Sequence, residues 1–172
     1  SLHDALPILA NQLCRDLNIT HTQYGTGASA FFFGFLFSRI PSNVAMRYFG
    51  APLWLMTIMF VWGLTAAALS FITGPIEFYV LRFLMGIAEG GAFPGVWYYL
   101  TGFFPDDRLT FPYTITAAAA PTATALSGPI AATFFAVDGT FGIEAWRGLM
   151  FFEGFLPAVA APIMFYFIPK SI

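Results

Sequence analysis

The chain has 172 residues, of which 58% are hydrophobic, 19% are aromatic and only 9% are charged. Soluble domains carry about 25% charged residues, so this composition excludes an ordinary water-soluble domain and favours a membrane protein surrounded by the lipid bilayer. The net charge of −2 gives no support to nucleic-acid binding, and we expect no nucleic-acid partner. The single cysteine excludes an intrachain disulfide and a multi-thiolate metal site, and we expect neither a metal nor a cofactor.

The amino-terminal residues are not predicted to cross the membrane. Residues 1–8 lack the basic start and apolar core of a signal peptide, and we interpret them as a non-native scar outside the fold. Residues 9–22 have the pattern of a helix end that runs into a polar loop.

Five apolar segments follow, each long enough to cross a bilayer as a helix, which takes about 20 residues. The predicted spans are residues 23–49, 53–72, 77–105, 110–137 and 146–168. Prolines interrupt several of them, and we expect a break or kink at Pro41 and a bend at Pro94. Gly86 and Gly90 stand four residues apart, a spacing that lets the backbone of another helix approach closely. The sequence therefore predicts an all-α bundle.

The third span carries Arg82 and Glu89 inside its apolar run. Seven residues are almost two helical turns, so both charges point the same way, with Gly86 between them and Phe93 one turn further on. A charge in hydrocarbon costs about 3 kcal/mol or more, so such groups usually face a cavity or a partner. One interpretation is a structural ion pair that holds two helices together; we favour a functional role.

Glu153 is the acidic residue of the fifth span. It could serve in coupling, or it could pair with Arg147 at the start of the same span. A separation of six residues is poor for a direct pair on one helix. We nevertheless favour a structural role for Glu153.

Three stretches of the sequence resemble the anion:cation symporter family of the major facilitator superfamily. YVLRFLMGIAEGGAFPGVWYYLTGFFP (79–105) resembles that family's fourth helix, FFFGFLFSRIPSN (31–43) its second, and WRGLMFFEGFLPA (146–158) the start of its sixth. The resemblance implies a polytopic membrane protein in which residues 9–22 end helix one and residues 23–170 form helices two to six. Because members have twelve helices in two halves, the chain is expected to be a fragment that lacks the carboxy-terminal half.

The resemblance also implies a function. Family members couple the entry of an organic anion, such as a sugar acid, a dicarboxylate or an aromatic acid, to a cation that is commonly a proton. Arg82 matches the arginine associated with the substrate carboxylate, and Glu89 matches the carboxylate associated with proton coupling. Glu153, Gly86 and Phe93 are secondary site candidates. The expected partners are the bilayer, the anion, protons and the missing half, and the expected location is the cell (inner) membrane.

Two alternatives remain open. The residue after Gly50 is Ala51 and not the basic residue usual in the family, and Arg39 stands where the family usually has Glu or Gln. These departures keep an uncoupled facilitator or sensor on the same fold as an alternative. A membrane enzyme is disfavoured, because His3, His21 and the loop cysteine Cys14 supply no nucleophile–base or metal constellation.

Overall fold

The computed structural model describes residues 10–136 and 144–169, and these residues form helices and turns without a strand. The all-α prediction is therefore confirmed, while residues 1–8 lie outside the described part of the chain. The helices, in chain order, are α1 (10–16), α2 (His21–Phe49), α3 (Ala51–Ala68, extended by a 3-10 turn, Leu69–Phe71), α4 (Pro75–Glu89), α5 (Ala92–Thr101), α6 (Thr110–Ala136, after a 3-10 turn, Asp106–Arg108) and α7 (Ala145–Phe167).

Local chemistry explains where several helices begin. Thr20 caps α2 through a capping box: its hydroxyl accepts a hydrogen bond from the Gln23 backbone N–H at 3.2 Å, and the Gln23 side chain accepts one from the Thr20 N–H at 2.8 Å. Pro52 and Pro75 lie in the first turns of α3 and α4, where a missing N–H costs nothing. Gly50 joins α2 to α3 with a φ of +82°, a conformation that favours glycine.

Helices α2 and α4 pack backbone to backbone. A Cβ atom added to Gly86 of α4 would overlap the carbonyl oxygen of Phe31 in α2, and one added to Gly34 of α2 would overlap the carbonyl oxygen of Phe83 in α4. The ring of Phe78 lies against Gly27 in the same way. The predicted close approach at Gly86 is therefore present, with α2 as the partner helix.

Helices α3 and α7 form a second close pair. A Cβ atom added to Gly63 of α3 would lie 2.7 Å from the carbonyl oxygen of Gly154 and 2.6 Å from the backbone nitrogen of Ala158, both in α7. Glycines on both helices thus allow main-chain contact, and this packing supplies the van der Waals attraction that holds helices together in lipid.

A hydrogen-bonded cluster ties one end of the bundle together. The Trp146 indole N–H donates to the Asp16 carboxylate at 3.0 Å, which joins the start of α7 to the end of α1. Arg147 donates to the carbonyl oxygens of Ser70 at 2.7 Å and Ile72 at 3.1 Å, and it pairs with Glu144 at 2.5 Å. Trp146 is fully buried in the apolar core at this end of the bundle.

The third predicted span is wrong in one respect: it is not a single helix. The helix ends at Glu89, and α5 begins at Ala92, so Gly90 and Gly91 form the break. Two adjacent glycines have poor helix propensity, whereas Pro94 lies in the first turn of α5, where proline is tolerated. At Pro41, where a break or kink was expected, there is no break, because α2 continues through that residue to Phe49.

Apolar side chains cover much of the outer surface of the bundle. By length and composition, two helical segments of the described chain are apolar enough to cross a membrane, Ala51–Phe71 and Ala145–Phe167. Helix α6 is exposed along almost its whole length, and Ala131 is its buried residue. Such exposed apolar surface is typical of a protein that contacts lipid or further protein, and not water.

The α2–α4 contact predicts opposite effects for the same substitution at two glycines of α2. Gly34→Ala should lower the free energy of unfolding by about 1–3 kcal/mol, because the new methyl group meets immovable backbone. Gly25→Ala should raise it by about 0.5–1 kcal/mol, since no atom lies within 4 Å of the added Cβ and alanine favours a helix. Unfolding of both variants in detergent micelles measures the difference, and equal effects would contradict this packing.

Candidate functional site

Arg82 and Glu153 line the same cavity. Its volume is about 220 Å³, and residues from five helices surround it. Arg82 is contributed by α4 and Glu153 by α7. The remaining lining residues are Ala10, Leu13, Tyr24, Ala66, Leu69, Met85 and Met150. The cavity thus combines one basic and one acidic group with mostly apolar walls.

Aromatic rings hold the Arg82 side chain in place. Its guanidinium carbon lies 5.3 Å from the centre of the Phe78 ring, four residues earlier on α4. The Phe78 ring stacks in turn on Tyr24 of α2, with a centroid distance of 5.8 Å. Phe78 is fully buried, so this cation–π contact is shielded from water and restricts the position of the guanidinium.

Arg82 has no hydrogen bond or ion pair to any residue in the described part of the chain, and its Nε is buried without a partner. The structural ion pair considered from the sequence is therefore not formed among these residues. A guanidinium carries five N–H donors and cannot be deprotonated in a protein. Its hydrogen-bonding capacity is available to a carboxylate in the cavity.

Glu153 does not pair with Arg147, the alternative considered from the sequence. Arg147 instead bonds Glu144 and the carbonyl oxygens at the end of α3. Glu153 is exposed in the described structure and is one of the lining residues of the Arg82 cavity, on a helix that packs closely against α3. The structure therefore associates Glu153 with Arg82 and not with the arginine of its own helix.

Glu89 lines a different cavity. This second cavity has a volume of about 350 Å³ and lies between α3, α5 and α7. Its other lining residues are apolar or aromatic: Leu55, Ile58, Met59, Trp62, Ala92, Val96, Tyr99, Met164 and Ile168. Seven residues of helix correspond to about 10 Å, so the two charges of α4 project from one side of the helix at different levels. Neither charge is on the exposed face formed by Val80, Phe83 and Ile87.

The two other candidates have different surroundings. Gly86 lies in the α2–α4 contact, where its lack of a side chain permits the close approach to Phe31. Phe93 belongs to α5, beyond the helix break, and is 41% exposed. It therefore does not continue the Arg82–Glu89 face of α4.

Sequence reasoning missed Tyr24 and Phe78. A signal for Phe78 was present, because a residue four positions before Arg82 lies one turn away on the same helix face. No local pattern identifies Tyr24, because it is brought next to Phe78 and the Arg82 cavity only by the packing of α2 on α4.

The helical fold and the charged cavity between the helices are typical of a membrane transporter. The chain belongs to the Major Facilitator Superfamily, whose family model matches residues 5–171. It is therefore an integral, polytopic membrane protein, and its resemblance to this superfamily is confirmed.

Several curated relatives from bacteria are named as transporters or putative transporters. The chain is 33% identical to a putative tartrate transporter of Agrobacterium vitis, over 90% of this chain and 34% of the relative. It is 35% identical to the putative metabolite transport protein NicT of Pseudomonas putida, over 92% of this chain and 37% of the relative. It is 37% identical to a quinolone resistance transporter of Acinetobacter baumannii, over 91% of this chain and 36% of the relative. The chain thus spans about a third of the length of these relatives.

The cavity predicts a difference in the reactivity of introduced cysteines, tested after Cys14→Ala removes the native thiol. Met85→Cys places a thiol in the Arg82 cavity, whereas Phe83→Cys places one on the exposed apolar face. Because the thiolate is the reactive form and needs a polar environment, a charged methanethiosulfonate should label Met85→Cys at least about tenfold faster in liposomes. Equal rates would contradict a polar cavity at Arg82.

Proposed function

We propose that this chain forms part of a secondary transporter that moves a small organic anion across the cell (inner) membrane in symport with a cation, most simply a proton. The observation that carries the proposal is Arg82: a half-buried guanidinium that lines a cavity and has no protein hydrogen-bond partner among the described residues. A guanidinium binds a carboxylate through two parallel hydrogen bonds. Arg82 is therefore the proposed substrate-binding residue.

The proposed substrates are small carboxylates. A relative from Agrobacterium vitis is named a putative tartrate transporter, which supports a dicarboxylate, and sugar acids and aromatic acids belong to the same chemical class. The apolar lining of the Arg82 cavity would contact the carbon skeleton of the anion, while Arg82 supplies the charge.

Glu89 is the proposed coupling residue. It lies on the same helix as Arg82, about two turns away, and it lines a cavity whose described walls contain no positive charge. A carboxylate in such a place can take up a proton on one side of the membrane and release it on the other. Gly90 and Gly91 follow Glu89 directly, so Glu89 is the last residue of α4 before the helix break.

The chain is proposed to act together with a second half of the same protein, as the curated relatives are about three times its length. The exposed apolar face of α6 supports such contact, since this helix buries so little within the described bundle. Uptake therefore has to be measured on the full-length protein that contains these residues.

Substitution of Arg82 tests anion binding. Arg82→Ala should weaken tartrate binding at least about thirtyfold, because it removes a charge partner worth about 2–5 kcal/mol. Arg82→Lys should recover little of the loss, since an ammonium group cannot form the two parallel hydrogen bonds. Isothermal titration of the purified transporter measures both. Arg39→Ala is the control: Arg39 also stacks on a phenylalanine, at 5.5 Å, but is exposed, and its removal should change the affinity less than about threefold.

Glu89→Gln tests coupling separately from binding. Glutamine mimics the protonated carboxyl group but cannot release a proton, so the variant should still bind and exchange tartrate while losing proton-driven accumulation. Uptake into proteoliposomes with and without a pH gradient measures this. Accumulation with normal proton dependence would rule out Glu89 as the coupling residue. A wild-type protein that equilibrates the anion without moving protons would instead be a facilitator.

A further inference from the structure

The Arg82 cavity joins two opposite charges that come from helices far apart in the chain. Arg82 on α4 and Glu153 on α7 both line it, yet they are not within the 4.0 Å of an ion pair in the described structure. The cavity thus separates the two groups by enough space that each keeps unused hydrogen-bonding capacity. An anion that binds Arg82 must do so in the presence of the Glu153 carboxylate.

Apart from Arg82 and Glu153, the described lining of the Arg82 cavity contains few titratable side chains. Helix α2 contributes Tyr24, and the lining residues from α1, α3 and the remainder of α4 and α7 are apolar. Among the described lining residues, Glu153 is therefore the group that can balance the permanent positive charge of Arg82. Glu89 cannot do so from its own cavity, whose described lining is separate.

Charge balance has a direct consequence for binding. Arg82 is half-buried and Glu153 is exposed at the cavity in the described structure. Uncompensated charge at the depth of the membrane is costly, so a cavity that holds Arg82⁺ and Glu153⁻ is favourable in the absence of ligand. A bound carboxylate would add a second negative charge beside the first. Protonation of Glu153 removes this excess and also removes the repulsion between the two carboxylates.

We propose that Glu153 balances Arg82 in the anion-free cavity and takes up one proton when the organic anion binds, so that the anion carboxylate replaces Glu153 as the single negative partner of Arg82. In this step a proton from bulk water forms an O–H bond at the Glu153 carboxylate, and the anion replaces that carboxylate as the counter-charge of Arg82. Counted for Arg82, Glu153 and the one carboxylate group of the anion that binds Arg82, the sum of charges is zero before and after; the second carboxylate of a dianion such as tartrate lies outside this balance. The inference rests on the proposed function, in which Arg82 binds the anion, and adds a proton-binding group distinct from Glu89.

The experiment measures proton uptake on binding of tartrate to the full-length protein between pH 6.5 and 8.5, where the carboxyl groups of tartrate are ionised. Isothermal titration in buffers of different ionisation enthalpy gives the number of protons taken up per anion. In the pH range in which Glu153 is ionised in the empty cavity, uptake of one proton makes the apparent Kd for tartrate rise tenfold per pH unit.

Three substitutions separate the possible outcomes. Glu153→Gln should take up one proton fewer per anion and lose the tenfold rise in Kd per pH unit. Glu153→Asp keeps a titratable carboxyl group and should retain the proton uptake. This variant still tests the inference if the glutamine variant does not fold. Asp107→Asn removes an exposed carboxylate elsewhere and should leave the uptake unchanged.

The results that would overturn the inference differ from those that would overturn the proposed function. If Glu153→Gln binds tartrate with the same proton uptake as the wild type, Glu153 is not the proton-binding group, while anion binding at Arg82 stands. If the Arg82→Ala protein binds tartrate as tightly as the wild type, the proposed role of Arg82 is wrong and this inference fails with it.

Discussion

The backbone contact between α2 and α4 is the constraint on which the surroundings of Arg82 depend. Gly34 and Gly86 let the two helices approach until carbonyl oxygens of one lie against α-carbons of the other. In lipid, helices gain little from hydrophobic burial against each other, so close van der Waals packing of this kind holds them together. The contact brings Phe78 against Gly27 and beside Tyr24, and Phe78 in turn supports the guanidinium of Arg82.

The second glycine contact, between α3 and α7, positions the acidic group of the same cavity. Gly154 packs against Gly63 and Ala67, and Glu153 directly precedes it in the chain. The position of this carboxylate therefore follows from a main-chain contact that any side chain at Gly154 would disturb. Arg147 holds the start of α7 against the end of α3 and thereby supports the same arrangement. Both charges of the cavity are thus on helices that belong to closely packed pairs.

Helix positions could be read from the sequence because they depend on local properties. Four of the five predicted spans each correspond to one helical segment where the structure describes them, with ends that agree within two or three residues, whereas the third span is divided between α4 and α5. The errors arose where tertiary packing decides. A break or kink was expected at Pro41, yet α2 continues through it without a break. The break at Gly90 and Gly91 combines weak helix propensity with close packing against Ser38 and Ser42 of α2.

The sequence by itself determined the membrane class, the helical content and the presence of Arg82 and Glu89 on one side of a helix. It did so because composition and helical periodicity are properties of short stretches of chain. Only the tertiary structure decided that Arg82 shares its cavity with Glu153, while Glu89 lines another. A cavity is formed by residues from several helices, and which carboxylate reaches it depends on how those helices pack. Spacing along one helix carries no information about that choice.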